Sequence, residues 1–141
     1  MEDQSEIDVY LIKVGLKLTN SRREILTIFK RSNFALSYND IERQINKKID
    51  KATVYRTLKK FEEKKIIHAI YDHTNTVKYA LSQACCANTK NICNHAHFRC
   101  SNCQQTFCIE GVSLPSIELP DGYSISQSSL LVEGVCQDCN K

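Results

Sequence analysis

Two cysteine pairs near the end of the chain, Cys100-Ser-Asn-Cys103 and Cys136-Gln-Asp-Cys139, limit what this sequence can fold into more than any other feature. Zinc takes four soft or borderline ligands at tetrahedral corners, and two thiolates on one tight knuckle supply half of that set. One such pair also fits a redox dithiol. Two pairs from distant parts of the chain fit a four-cysteine structural zinc site that ties the C-terminus back onto its own domain. The expected ligands are Cys100, Cys103, Cys136 and Cys139.

Charge and cysteine are placed unevenly. Residues 1–84 carry 16 Lys+Arg against 11 Asp+Glu, and residues 85–141 carry 3 against 5, so a basic first part meets a slightly acidic second part. All 8 cysteines fall in the second part. This divides the chain into an expected domain 1–84 and an expected domain 85–141 with different tasks. No apolar run is long enough to span a bilayer, and Met1-Glu-Asp-Gln-Ser lacks the charge pattern of a signal peptide. The chain is therefore expected to be cytoplasmic, where cysteines are metal ligands or thiols more often than disulfides.

The first part reads as short helices followed by a hairpin. Ile7, Tyr10, Leu11 and Val14 recur at helical spacing up to Gly15. Thr19 is placed to cap a second helix with Ile25, Leu26 and Phe29 on its inner face. Ser37-Tyr-Asn-Asp40 has capping-box form and opens a third helix through Ile41 and Ile45. Asp50 caps a fourth, Lys51–Lys64, with Val54, Leu58 and Phe61 facing inward. Residues 66–71 and 76–81 are β-prone runs around Asp72-His-Thr-Asn75. That order predicts a winged helix-turn-helix, whose last helix enters the major groove of double-stranded DNA. Lys51, Thr53, Tyr55, Arg56 and Lys59 are the expected DNA contacts. The plainer reading of the same residues is a lysine-rich amphipathic helix with a wet outer face.

Residues 82–94 lack periodicity and read as a linker. Beyond them, Phe98–Cys100 and Thr106–Ile109 are expected strands flanking the first knuckle, with two more β-prone runs at Tyr123–Ser126 and Leu130–Glu133. The fold class is thus α/β (α+β): a winged helix-turn-helix followed by a small β-rich domain. So short a second half has a thin core, and pairing with a second copy would cover its edges. His95 and His97 stand two apart, so on a strand both imidazoles face one way and can meet one ion. His73, at the hairpin tip, is expected to face solvent or phosphate.

Four motifs occur in order: Thr19-x-x-Arg22, Ala52-Thr-Val-Tyr-Arg-Thr-Leu58, His95-x-His97-x-x-Cys100-x-x-Cys103 and Gly134-x-Cys136-x-x-Cys139. With them the chain resembles the ferric uptake regulator family of bacterial metal-sensing repressors, and most nearly its zinc uptake type. The resemblance implies a homodimer on a palindromic operator, a structural zinc, and a second, regulatory metal between the DNA-binding and dimerisation domains. It implies no enzymatic activity, no small-molecule substrate and no membrane partner. Ala35, Ala80, Ser128 and Cys108 stand where family members carry oxygen or nitrogen ligands, which points away from a hard-metal sensor. The resemblance adds His68 to His95 and His97 as a regulatory ligand, with Cys86, Cys85, Cys93 or Cys108 as the fourth. Such a His and Cys set favours Zn2+ over Fe2+ or Mn2+. The expected function is a zinc-responsive repressor of metal uptake genes. The alternatives are an iron-, manganese- or peroxide-responsive repressor on the same scaffold, or a zinc-bearing thiol redox protein. A zinc deaminase would need a glutamate and a proline that the His and Cys motifs here lack.

Overall fold

Thr19 begins the first firmly capped helix: its extended backbone and its hydroxyl, which accepts from the Arg22 N–H, start α2 (Asn20–Arg31). The computed structural model describes residues 2–71, 74–82, 96–109, 111–112, 114–126 and 128–141. Before α2 lies α1 (Glu2–Lys13), followed by Gly15 at φ +82°, a conformation that a side chain would strain. The chain continues through β1 (Leu36–Ser37), α3 (Tyr38–Gln44), α4 (Lys51–Glu63), β2 (Ile67–Tyr71) and β3 (Val77–Leu81). The reciprocal capping box predicted at Ser37 and Asp40 is present, and Asp50 caps α4 by accepting from the Thr53 N–H.

These elements form a unit spanning residues 1–81. Ile7 and Leu11 of α1, Ile25, Leu26 and Phe29 of α2, Ile41 of α3, and Val54, Leu58 and Phe61 of α4 make one buried cluster, closed beneath by Ile66 and Ile67. The predicted inward positions of α2, α3 and α4 are buried, whereas in α1 Ile7 and Leu11 are buried, Tyr10 is exposed and Val14 is only partly buried. The hairpin gains a third strand that the sequence did not announce. β1 pairs antiparallel with β3, giving the order β1-β3-β2. A strand of two residues has no readable alternation, so its pairing comes from where α2 and α3 place it. His68, within the β-prone run expected over residues 66–71, lies in β2 opposite Ala80 and is half-buried.

The second unit, residues 82–141, holds β4 (Ala96–Cys100), β5 (Thr106–Ile109) and β6 (Leu130–Gly134) in the order β5-β4-β6. β5 returns antiparallel to β4, whereas β6 runs parallel to it with Cys100 opposite Gly134. Residues 123–126, expected as a strand, are exposed and pair with no described strand. Arg99 joins β4 to β6 through Glu133, at 3.4 Å, and also bonds Gln104. An added Cβ at Gly134 would lie 3.1 Å from the Phe98 ring, so any side chain there would require that ring to shift by a few tenths of an ångström. The expected boundary at residues 84 and 85 lies outside the described residues. No described helix is long and apolar enough to cross a membrane.

Candidate metal centre and DNA-reading face

Parallel pairing of β4 and β6 makes both strands run out at the same end of the sheet, so each delivers its Cys-x-x-Cys knuckle to one place. The Ser101 N–H donates to the Gly134 carbonyl at 2.8 Å and clamps the two exits together. The sulfurs of Cys100, Cys103, Cys136 and Cys139 all lie within 4.8 Å of one another, with Cys103 Sγ and Cys136 Sγ 3.8 Å apart. Tetrahedral zinc with Zn–S bonds of about 2.3 Å holds its sulfurs about 3.8 Å apart, so this donor set fits the ion by size and by softness. A disulfide needs sulfurs about 2 Å apart, and the four cysteines are free thiols.

Backbone geometry has prepared one thiolate. The Cys103 and Cys136 N–H groups donate to Cys100 Sγ at 3.5 and 3.3 Å, and they bring its pKa down to about 6. Cys139 moves the other way. The Asn102 side chain lowers it, but the Cys136 thiol, burial and the other two thiols outweigh that and push it up to about 12. Cys103 is also raised, since burial and the neighbouring thiols exceed the help from the Gln105 backbone. The surroundings thus favour the thiolate at Cys100 and the thiol at Cys103 and Cys139.

The sign of the pH dependence follows. An acid with a depressed folded pKa stabilises the fold above its unfolded value, and this is lost as pH falls through about 6 for Cys100. Cys139 has a raised pKa, so the fold favours its protonated form and loses that contribution as pH climbs toward about 12. Zinc binding at pH 7 should release protons, and affinity should drop steeply below pH 6. Calorimetry in buffers of different ionisation enthalpy checks this; zinc uptake without proton release would contradict it.

A second pair of donors stands on the same sheet. His97 on β4 and Cys108 on β5 are register partners, with ligand atoms within 4.8 Å of each other, and His97 is buried. His95, Cys85, Cys86, Cys93 and His73, all named from the sequence, lie outside the described residues.

In the first unit, α4 presents the predicted contacts. Lys51, Tyr55, Arg56 and Lys59 are exposed, while Thr53 is half-buried against the cap. Hydrogen bonds from Thr53, its hydroxyl first and then its backbone N–H, hold the Asp50 carboxyl below the usual carboxylate range. Thr19, Ser21 and Arg22 at the start of α2 and Thr53, Arg56, Thr57, Lys59 and Lys60 of α4 line one open groove of about 480 Å³, with the acidic Glu63, paired to Lys60, also on its wall. Hydroxyls and cations along such a groove suit a phosphate backbone. The motif Thr19-x-x-Arg22 therefore shares a surface with the recognition helix. The sequence reading missed Tyr38, whose ring stacks on Tyr55. Its partner lies on another helix, and no local pattern marks such a contact.

A winged helix with a basic, hydroxyl-lined face, followed by a sheet that ends in four clustered thiols, defines a metal-responsive DNA-binding regulator. The Ferric uptake regulator family model matches residues 13–120. The ferric uptake regulation protein of Bordetella parapertussis is 31% identical over 152 residues, covering 100% of this chain and 99% of its own length. Among solved structures, a zinc uptake regulator complexed with zinc and DNA aligns with a TM-score of 0.65 at 19% identity, over 99% of this chain and 93% of the other. A zinc-bound manganese uptake regulator aligns at 0.63 and 19% identity, over 90% and 97%. The chain belongs to the ferric uptake regulator family, whose members are transcription regulators rather than enzymes.

Proposed function

We propose that this protein is a zinc-responsive repressor that binds a palindromic operator as a homodimer and controls genes of metal uptake in the cytoplasm. The observation that carries the metal part is the donor chemistry. His97 and Cys108 oppose each other on β4 and β5, and a thiolate beside an imidazole favours zinc over the harder Fe2+ and Mn2+. Cys100, Cys103, Cys136 and Cys139 would hold a structural zinc that supplies the cohesion of the second unit. His97 and Cys108, with His68 and with His95 or Cys86 completing the set, would hold the regulatory metal. Two donors do not complete a coordination shell, and the proposed set takes its further ligands from these residues.

The dimer is supported by the surface of the second unit. Ile117, Leu119, Tyr123, Ile125, Val132 and Val135 are all exposed there, from 44% to 71%, and are apolar side chains that pairing with a second copy could cover. DNA binding is supported by the exposed Lys51, Tyr55, Arg56 and Lys59 on a capped α4. A dimer aims two such helices at half-sites about one helical turn apart.

Curated relatives are named for iron, so iron(II) is the reading to set against zinc. The test starts from full-length protein that keeps its four-cysteine zinc but has been stripped of the regulatory metal, adds zinc, iron(II), manganese or nickel, and measures binding to an operator-like palindrome at matched salt. Zinc should restore binding at the lowest free concentration. Restoration by iron(II) or manganese alone would replace the zinc reading with a hard-metal one, and equal binding by the stripped protein would remove metal control.

A further inference from the structure

We infer that Tyr38 is a positioning residue for DNA reading: its ring clamps that of Tyr55 and presets the recognition helix's aromatic contact. The inference rests on the DNA-binding role proposed above and deepens it. Tyr38 is the first residue of α3, and Tyr55 lies on α4. Their ring centroids are 4.4 Å apart and the planes differ by 9°, a close parallel stack. Tyr55 nonetheless keeps 58% of its surface exposed. The clamped residue is therefore the one open to a duplex.

The clamp itself is rigid. Tyr38 directly follows Ser37, whose hydroxyl and backbone N–H are both engaged by Asp40 in the capping box. Ile41, one turn on, is fully buried in the core and fixes the helix from below. The Tyr38 hydroxyl is buried and has no hydrogen-bond partner among the described residues. The ring is thus held by packing rather than by its polar end.

An exposed tyrosine on a helix ordinarily samples several rotamers, and fixing it in a complex costs conformational entropy. A ring already stacked has lost most of that freedom before DNA arrives. What is preset is a flat apolar face with a hydroxyl at its rim, the shape that meets a thymine methyl or a base edge. The consequence is selective: Tyr38 should matter for preference between base pairs and not for attraction to phosphates.

The experiment uses the full-length, zinc-loaded protein. A preferred duplex is selected from a random pool, and affinities for it, for single base-pair variants and for a random-sequence duplex are measured at several salt concentrations. Tyr38→Ala should weaken the selected duplex roughly five- to tenfold. It should flatten the preference at the same base pairs as Tyr55→Ala, and leave random-duplex affinity and salt slope unchanged. Tyr38→Phe should bind as the parent does, because the stack remains and only an unsatisfied hydroxyl is lost. The inference is overturned if Tyr38→Ala keeps full preference, if Tyr38→Phe loses as much as Tyr38→Ala, or if random-duplex binding falls equally. Arg56→Ala separates the two levels. If it weakens all duplexes while Tyr38→Ala changes nothing, only the clamp fails; if Arg56→Ala and Tyr55→Ala are both silent, the DNA-binding face itself is misassigned.

Discussion

Cys100→Ser is expected to unfold the second unit while leaving the winged helix intact. The reason is the difference between the two cores. The buried cluster of the first unit includes Ile7, Leu11, Ile25, Leu26, Phe29, Leu58 and Phe61. In the second unit the described buried residues are Ala96, His97, Cys100, Thr106 and Cys136. Small side chains and thiols do not bury enough apolar surface to offset the chain entropy of so short a segment. Structural zinc supplies about 10–16 kcal/mol of apparent binding free energy in small zinc modules, far more than the marginal stability of a short domain. Cys100 is the fully buried member of the set and the one whose sulfur accepts two backbone N–H bonds, so its loss removes the best-prepared ligand. Native mass spectrometry should show one zinc fewer per chain. Limited proteolysis should cut within residues 96–141 and spare residues 4–71. A Cys100→Ser protein that retained its zinc and its protease resistance would show that the sheet does not depend on the four-thiolate site.

His97→Ala should act on control rather than on folding. It is expected to leave the four-cysteine zinc and the melting of the winged-helix unit unchanged. Operator affinity at saturating zinc should fall about 100-fold, toward that of the stripped protein, which corresponds to about 2.7 kcal/mol of coupling. The expectation follows from the pairing of His97 with Cys108 on adjacent strands: removing the imidazole removes one of the two donors that this sheet brings together. Cys108→Ser should weaken zinc response in the same direction, because a hydroxyl is a poorer zinc ligand than a thiolate. Fluorescence anisotropy of a labelled duplex against buffered free zinc measures both. Wild-type zinc response in His97→Ala would exclude this residue from the regulatory set. Equal loss of folding in Cys100→Ser and His97→Ala would count against two separate sites.

Much of the winged helix was legible before any coordinates. Thr19, Ser37 and Asp50 announce helix starts because a cap acts on N–H groups two or three residues ahead. Ile25, Leu26, Phe29, Val54, Leu58 and Phe61 announce buried faces because helical periodicity is a property of neighbouring residues. The same locality limits the reading elsewhere. β1 was invisible, and Tyr123–Ser126 looked like a strand. Strand pairing depends on what lies alongside, which no short window contains.

The sequence alone therefore settled the capped helices, their inner faces, and the presence of two thiolate knuckles spaced like metal ligands. Tertiary structure alone decided that β6 runs parallel to β4, so that both knuckles leave the sheet at one end and four sulfurs converge. It also decided that Tyr38 lies against Tyr55 and that His97 faces Cys108. Caps and periodicity are written within a few residues, whereas register, strand direction and ring stacking join residues far apart in the chain and exist only once it has folded.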